Sequence, residues 1–515
     1  MSFAAADAEK GPTDVASTMV SSDSSPQLHS GYALDASRSG AENLKATPDG
    51  KVILIPQPTD AKDDPLNWSQ FKKHAILLVI SATAFLPDFS TSIGAVTLIP
   101  QSVEFGRTQD GMLQSMVGNL FMLGAGGVIV VALMAYFGRL PVLFWFVVMA
   151  TWQIAWCAAP ANFEQFMTAR ILNGFFSTVA QGGGLIFIND IFFVHEHARK
   201  INIWSFFIIL SPYLGPLLTA FIISKYDWNW AFWLSTLLHG LCLIAIVLIG
   251  EETYYDRRIP KSQQPIRRSR IRRLIGIEQW SYRHQRNSFL EAISRPALAL
   301  FKPVVFISTV YYVFIFAWVV GINTTLSIFL QPLYNFGPVQ IGYFYFTPII
   351  ATIIGEVSGH WLHDANAAFW MRRNKGLLEP EARLWVVWLA TPFMVAGIVL
   401  LGFTLQDGYH YMVCALGWGL YVFGIMISTV GLNAYVLDSY PEASGEVAAW
   451  LNFSRTTGGF VVTYLQVRWA KAMGPKNSFG VQAAIVAGAF VLILVLQVYG
   501  KRLRTWSGKL NFKTN

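Results

Sequence analysis

Residues 111–138 read GMLQSMVGNLFMLGAGGVIVVALMAYFG, a run of 28 positions without one charged side chain. A helix needs about 20 apolar residues to cross the hydrocarbon core of a bilayer, so this run is long enough to span one. With no water to satisfy backbone amides there, a helix is the form such a run takes. A second uncharged run covers 408–437. A third, 303–355, is too long for one crossing, and the turns at Gln331-Pro332 and Gly337-Pro338 divide it in two. Working outward gives twelve spans. Six lie near 74–99, 112–137, 141–160, 164–190, 202–224 and 229–249; six more lie near 303–328, 338–362, 384–405, 409–436, 446–470 and 479–500. The eleventh is the weakest, because it carries Glu446, Arg455 and Arg468.

Composition agrees. Of 515 residues 54% are hydrophobic, 15% are aromatic and 13% are charged, against about 25% charged in soluble domains. That excludes a soluble enzyme, a nucleic-acid binder and a disordered scaffold. The net charge of +8 reflects topology. If the N-terminus is cytosolic, the inner segments hold 31 of the 38 Lys and Arg residues. The outer loops hold five, Arg107, Lys225, Arg468, Lys471 and Lys476, while Arg170 and Arg455 lie within spans. This bias places both termini inside.

The layout that follows is a polar, disordered cytosolic tail over 1–73 and a six-helix bundle over 74–250. A basic cytosolic loop over 251–302, a second bundle over 303–500 and a short cytosolic tail over 501–515 complete it. The loop contains Ile266-Arg-Arg-Ser-Arg-Ile-Arg-Arg273, a solvated positive-inside segment with room for an amphipathic helix on the anionic leaflet. No apolar run with a cleavage site follows Met1, so the first span itself directs insertion. Cys157, Cys242 and Cys414 all lie inside apolar stretches, with neither disulfide nor metal spacing.

Several short strings stand at the span ends. Asp64-Pro-Leu-Asn-Trp68 precedes the first span, Gly138-Arg-Leu-Pro-Val142 joins the second to the third, and Arg170-Ile-Leu-Asn-Gly174 lies in the fourth. Asn189-Asp-Ile-Phe-Phe193, Glu252-Thr-Tyr-Tyr255, Pro380-Glu-Ala-Arg-Leu384 and Tyr440-Pro441 follow in order. Over about residues 60–505 the chain thus resembles the major facilitator superfamily, and within it the twelve-span fungal drug:proton antiporters. The resemblance implies an all-α membrane fold of two six-helix bundles. It implies a proton-coupled secondary transporter, not an enzyme, that rocks its halves about a central site and exports a xenobiotic or a fungal secondary metabolite. The proton gradient is the driving force, with no cofactor and no metal. The expected partners are a small-molecule substrate and the bilayer, with no nucleic acid, and the protein is expected to be a monomer of the plasma membrane, or else of the vacuolar membrane.

The chain departs from the family's G-x-x-x-D-R-x-G-R string between spans two and three. Val131 replaces the first Gly, Ala135-Tyr136 replace Asp-Arg, and Gly138 and Arg139 remain. Arg139 therefore needs another acid, Asp190 or Glu196. Gly138 supplies a tight turn that tolerates positive φ. In span five, Ser211-Pro-Tyr-Leu-Gly215-Pro216 partly matches the antiporter string G-x-x-x-G-P-x-x-G-G, with Ser211, Thr219 and Ala220 at glycine positions. Gly215 permits close helix approach and Pro216 bends the helix. The export direction rests on the resemblance.

Ionisable groups inside a membrane are costly and mark function. Asp88 stands 14 residues into span one, roughly 21 Å deep at 1.5 Å per residue. Arg170 stands six or seven residues into span four from the outside, roughly 10 Å from that face. In a core about 30 Å thick the depths coincide. The spacing predicts an Asp88–Arg170 pair, either structural or the site where Asp88 takes up and releases the coupling proton. His239, in mid-span six, either bonds a neighbouring helix or serves substrate contact or proton relay. Arg455, in mid-span eleven, either pairs with an acid of the other half or binds an anionic substrate. Glu356, His360 and Asp364 form an i, i+4, i+8 stripe on span eight: either Glu356 is a further proton-coupling candidate and Asp364 resembles a gate acid of the second half, or all three line a solvated inner vestibule.

Among aromatics, Trp228-Asn-Trp230-Ala-Phe-Trp233 reads as an interfacial belt. Tyr311, Tyr312, Tyr343, Tyr345 and Phe346 are candidate cavity-lining residues suited to bulky, flat or cationic compounds. The sequons at Asn67, Asn323 and Asn452 lie inside the cell, close to the bilayer and within it, so little glycosylation is expected. No Walker A string provides a nucleotide site. Uptake of a nutrient, polyamine or organic acid remains an alternative, amines favoured by Asp88 and anions by Arg455. A non-transporting membrane receptor or scaffold is a second.

Overall fold

The computed structural model describes residues 45–47, 53–257, 259, 264, 267, 269–283, 288–374, 378–508 and 510. The expected tail over 1–73 and the end of the C-terminal tail therefore fall partly outside the described residues. Residues 53–69 are packed rather than disordered: Ile53, Ile55, Asp64 and Leu66 are buried, and Ile55 accepts a hydrogen bond from the Val194 amide at 2.9 Å. Asp64 explains this. Its carboxylate accepts from the amides of Thr59 and Leu66 at 3.0 and 3.1 Å and from Arg257 at 3.0 Å. Burial pushes the carboxyl up, but Arg257 and those amides outweigh it and hold it below the usual carboxylate range. The clasp is therefore complete at neutral pH and released only as pH falls below that range.

The N-terminal half begins with α1 (Gln70–Ser92), whose Ser69 side chain caps the Lys72 amide, and α2 (Gly94–Glu104). α3 (Gln109–Phe137), α4 (Arg139–Ala158), α5 (Phe163–Ser177), α6 (Val179–Ile191), α7 (Val194–Ile223) and α8 (Asn229–Ile249) follow. Among the described residues of the central loop are the short helices α9 (Arg270–Ile275), α10 (Ile277–Ser281) and α11 (Phe289–Leu300). The C-terminal half is α12 (Pro303–Tyr334), α13 (Pro338–Phe344), α14 (Phe346–Arg373), α15 (Val386–Asp407), α16 (Tyr411–Ser439), α17 (Ser444–Met473) and α18 (Pro475–Ser507).

Among the described residues, eleven helical segments are long and apolar enough to cross a membrane. Two are broken in the middle: α5 and α6 make one crossing, as do α13 and α14. The long helix outside this set is α17. Its 30 residues form a continuous helix packed beside α3 and α12; of the three charges that weaken its apolar character, Arg468 is exposed and the other two are turned inward. Glu446 and Arg455 are both buried.

Gly138 ends α3 and starts α4 at φ 101°, ψ 160°. An L side chain there costs on the order of 1–3 kcal/mol. Gly138→Ala is expected to lower the unfolding midpoint. The fluorescence of a thiol-reactive dye checks this, because Cys157 and Cys414 are buried and Cys242 half-buried. Gly215 places α7 directly on α1, where a Cβ would meet the Phe89 carbonyl at 2.7 Å and the Ser92 hydroxyl closer still.

The basic loops share one end of the molecule, called here the basic face. Lys302 donates to the Gly508 carbonyl at 2.9 Å, and Thr59 meets Tyr255 at 3.3 Å, so both tails and the central loop converge there. The halves meet along a seam formed by α3, α6 and α7 on one side and by α13, α14, α16 and α17 on the other.

Candidate functional site

At the centre of the seam Asp88 faces Arg455, not Arg170. Arg455 Nη1 donates to Asp88 Oδ2 at 2.5 Å. Gln181 Nε2 donates to the same oxygen at 2.8 Å and to the Ala84 carbonyl at 2.9 Å. The other guanidinium nitrogen of Arg455 reaches Gln181 Oε1 and Asn452 Oδ1, the latter at 3.0 Å. Asn452 in turn donates to Thr178 Oγ1 and to the Leu123 carbonyl, each at 3.2 Å. The Phe316 ring lies 5.3 Å from the guanidinium. Asp88, Gln181 and Thr178 belong to the first half and Arg455 and Asn452 to the second, so one hydrogen-bonded network stitches the halves together.

Arg170 has a different task. Its Nη1 and Nη2 donate to the carbonyls of Ser90 and Thr91 at 3.2 and 3.0 Å. These are last-turn carbonyls of α1, where the chain breaks at Ile93 before α2; the Thr91 carbonyl also accepts from the Ile93 amide. Asn119 and Asn173 extend this layer through Thr91, Ser90 and the carbonyls of Arg170 and Ala150. The guanidinium lies against the Phe166 and Phe232 rings. Arg170 meets α1 two and three residues beyond Asp88, but the carboxylate points across the seam while the arginine stays within its own half.

Beside Arg455 lies a cavity of about 20 Å³ lined by Trp204 and Ile208 of α7, Tyr312 of α12, Thr429 and Asn433 of α16 and Asn452 of α17, among others. That is room for about one water, so the halves are closed around it. Tyr311 does not reach this cavity; it is fully buried in the second half and meets Ser428 at 3.0 Å. Tyr345 is buried too and donates to the Asn323 carbonyl at 2.9 Å. Tyr343 and Phe346 are exposed on the outside of the bundle. His239 is buried on α8, with Nδ1 against the Ser235 carbonyl of its own helix rather than a neighbour. In the Trp228–Trp233 string, only Trp230 and Trp233 face outward, whereas Trp228 and Phe232 are core. Asn323 and Asn452 are buried as well.

Toward the basic face the seam carries further contacts. Arg139 forms an ion pair with Asp190, which also accepts from Thr253 at 2.7 Å. Glu252 receives the amides of Arg139 and Leu140 at 3.3 and 3.4 Å, a carboxylate on a helix N-terminus. The second half repeats the pattern: Arg383, just before α15, donates to Asp438, at the end of α16, at 2.8 Å. Between halves, Arg199 of α7 bonds Asp364 of α14 at 2.7 Å. Asn189 donates to the Pro441 carbonyl at 3.2 Å, and Asn202 to that of Glu356 at 3.1 Å. Arg295 of α11 bonds Glu446 of α17 at 2.5 Å. Glu356 thus lies in this outer layer, away from Asp88. Toward the opposite face, Asn323 donates to the Pro212 carbonyl at 3.1 Å and Phe121 packs on Phe460.

The reading of charges missed Gln181, Asn452, Trp204, Thr429 and Asn433. The available signal was the cost of any amide in a bilayer, which applies to Gln181 and Asn452 as it does to charges.

Two bundles of membrane helices closed over a shared buried ionic network define a multi-pass membrane transporter. The chain belongs to the Major Facilitator Superfamily, whose family model matches residues 39–463, and it is a secondary transporter, not an enzyme. It is 26% identical over 465 residues to the efflux pump radE of Floropilus chiversii, covering 87% of this chain and 84% of that one. It is 24% identical to the MFS-type transporter hepF of Aspergillus oryzae, with 88% and 94% covered. Its fold matches the proton:xylose symporter XylE with a TM-score of 0.61 at 14% identity, covering 86% of this chain and 100% of that one.

Proposed function

We propose that the protein is a proton-coupled exporter of a small, uncharged organic molecule with flat or aromatic character. The observation that carries this is the Asp88–Gln181–Arg455–Asn452 network. It joins a carboxylate to an arginine of the opposite half, at the seam that must part for alternating access. Protonating Asp88 removes the charge that holds Arg455, so proton binding loosens the seam. Because the acid and the base neutralise each other, neither is free as an anchor for an amine or an anion. The adjoining Trp204, Tyr312, Thr429 and Asn433 offer aromatic faces with hydroxyl and amide groups instead. Export is favoured by the likeness to proteins named as an efflux pump and as transporters in fungi. The protein is read as a plasma-membrane monomer with both termini cytosolic, in keeping with its basic face.

A host cell stripped of its own pumps, expressing this chain and challenged with a panel of uncharged aromatic compounds, tests the reading. Lower accumulation of at least one compound is expected, with the difference abolished by a protonophore. Raised accumulation would instead establish uptake.

A further inference from the structure

Four buried polar atoms, contributed by both halves, converge near the basic face without a hydrogen-bond partner. They are Nδ1 of His197 on α7, Oδ1 of Asp438 on α16, Nε2 of His363 on α14 and Nη2 of Arg383. None of the four residues exposes more than 4% of its surface. Asp438 spends Oδ2 on Arg383, leaving Oδ1 turned toward His197 Nδ1, 3.7 Å away across the seam. His363 lies beside Arg383, both against Gly431.

The other ring nitrogen of His197 settles where its proton is. Nε2 stands 3.2 Å from the Phe192 carbonyl. A carbonyl only accepts, so Nε2 carries the hydrogen. The neutral ring then presents a bare lone pair at Nδ1 to a carboxylate oxygen. Two acceptors face each other at 3.7 Å, beyond hydrogen-bond reach. One proton on Nδ1 converts this repulsion into a charge-assisted N–H···O bond between the halves.

We propose that His197 and Asp438 form a second proton-binding site across the seam, one whose occupation latches the basic face closed. It shares no residue with the Asp88–Arg455 network, and it goes beyond the transport reading because it operates whatever the substrate. The surrounding groups are accounted for. On α7, His195 stacks on Phe193, Glu196 caps the helix, Arg199 is taken by Asp364, and Lys200 meets His74 of α1 at 2.8 Å. Lys73 of α1 lies over Phe193 at 5.1 Å. Arg383 and His363 approach from the second half. Asp438 holds the added proton only while the halves are closed, so proton binding and closure favour each other: acid latches and base releases.

The test uses the full chain in nanodiscs with Cys242→Ser, leaving two buried cysteines. Spin labels are placed at Gln70→Cys and Arg372→Cys, exposed basic-face positions in opposite halves. Pulsed electron paramagnetic resonance reads the distance distribution at about pH 5.5 and pH 8, the range in which histidine titrates. The closed-to-open ratio is expected to rise roughly tenfold in acid, the effect of a tenfold difference in proton affinity between the two states. His197→Gln is expected to give the same distribution at both pH values, and His363→Gln to keep the response. A response that survives His197→Gln, or one lost in His363→Gln instead, overturns the proposal. So does a pH-invariant distribution in the labelled parent, which needs neither variant to fold.

Discussion

Arg455→Ala is expected to destabilise the protein by about 3–5 kcal/mol, the cost of leaving a buried carboxylate without its partner, and to abolish transport. Asp88 and Arg455 are both buried at the seam, bonded at 2.5 Å. Removing the cation leaves Asp88 with only the Gln181 amide. Asp88→Asn is expected to be milder, because an amide can still accept from Arg455 while Gln181 Oε1 and Asn452 Oδ1 satisfy the rest of the guanidinium. The double variant Asp88→Asn, Arg455→Gln carries no buried charge at this site. It is expected to recover most of the stability lost in Arg455→Ala while remaining unable to couple transport to protons. Unfolding followed by dye labelling of the buried cysteines, together with a double-mutant cycle, separates the two effects. A double variant no more stable than Arg455→Ala contradicts the assignment of the loss to an unpaired charge.

The second large effect is at Arg170. Arg170→Ala removes the guanidinium donors to the Ser90 and Thr91 carbonyls at a helix break in a membrane segment, leaving Thr91 only the bond from the Ile93 amide. A buried acceptor left open costs about 1–3 kcal/mol, so a loss of about 1–3 kcal/mol is expected from the Ser90 carbonyl. Arg170→Lys has one nitrogen for two carbonyls and is expected to recover part of the loss. The same dye assay reads it, and Cys157, buried near this arginine, reports local opening first. Wild-type stability in Arg170→Ala would mean that the break between α1 and α2 does not depend on this side chain.

These two arginines show how far the chain could be read before its structure. Hydropathy located the membrane segments because uncharged runs near 20 residues have few alternatives. It also ranked α17 last, for a good reason: among the charges that weaken the run, Arg455 is the one the seam network needs, and Glu446 pairs with Arg295. The cost of burying charge singled out Asp88, Arg170 and Arg455 correctly as inward residues. Depth alone then joined Asp88 to Arg170, because depth orders residues along the membrane normal and says nothing about which neighbour a side chain faces. The alternative for Arg455, an acid in the opposite half, is what the structure contains. Tyr311, Tyr343 and Tyr345 failed as cavity residues for the same reason: nearly continuous apolar sequence carries no amphipathic stripe to mark the inner face. Gln181 does not stand out in the sequence, and Asn452 stands out only as a sequon, because neither carries formal charge, although their amides complete the network.

The Arg139–Asp190 pair illustrates a compensation. The acid of the family's usual loop string is absent, with Ala135-Tyr136 in its place. Tyr136 instead packs in an aromatic cluster with Phe137, Trp280 and Phe289, while Asp190 and Glu252 supply negative charge to Arg139 and to the start of α4.

Proteoliposomes with an imposed pH gradient provide the most direct test of proton coupling through Asp88. They would be given, on the outside, the compound identified by the accumulation screen. Wild-type protein is expected to concentrate it only when the lumen is acid, as protons leave against substrate entry. Asp88→Asn is expected to retain exchange of labelled for unlabelled compound but to lose accumulation driven by the gradient. Gradient-driven accumulation by Asp88→Asn equal to that of the wild type, or wild-type accumulation driven by an alkaline lumen, would contradict the account.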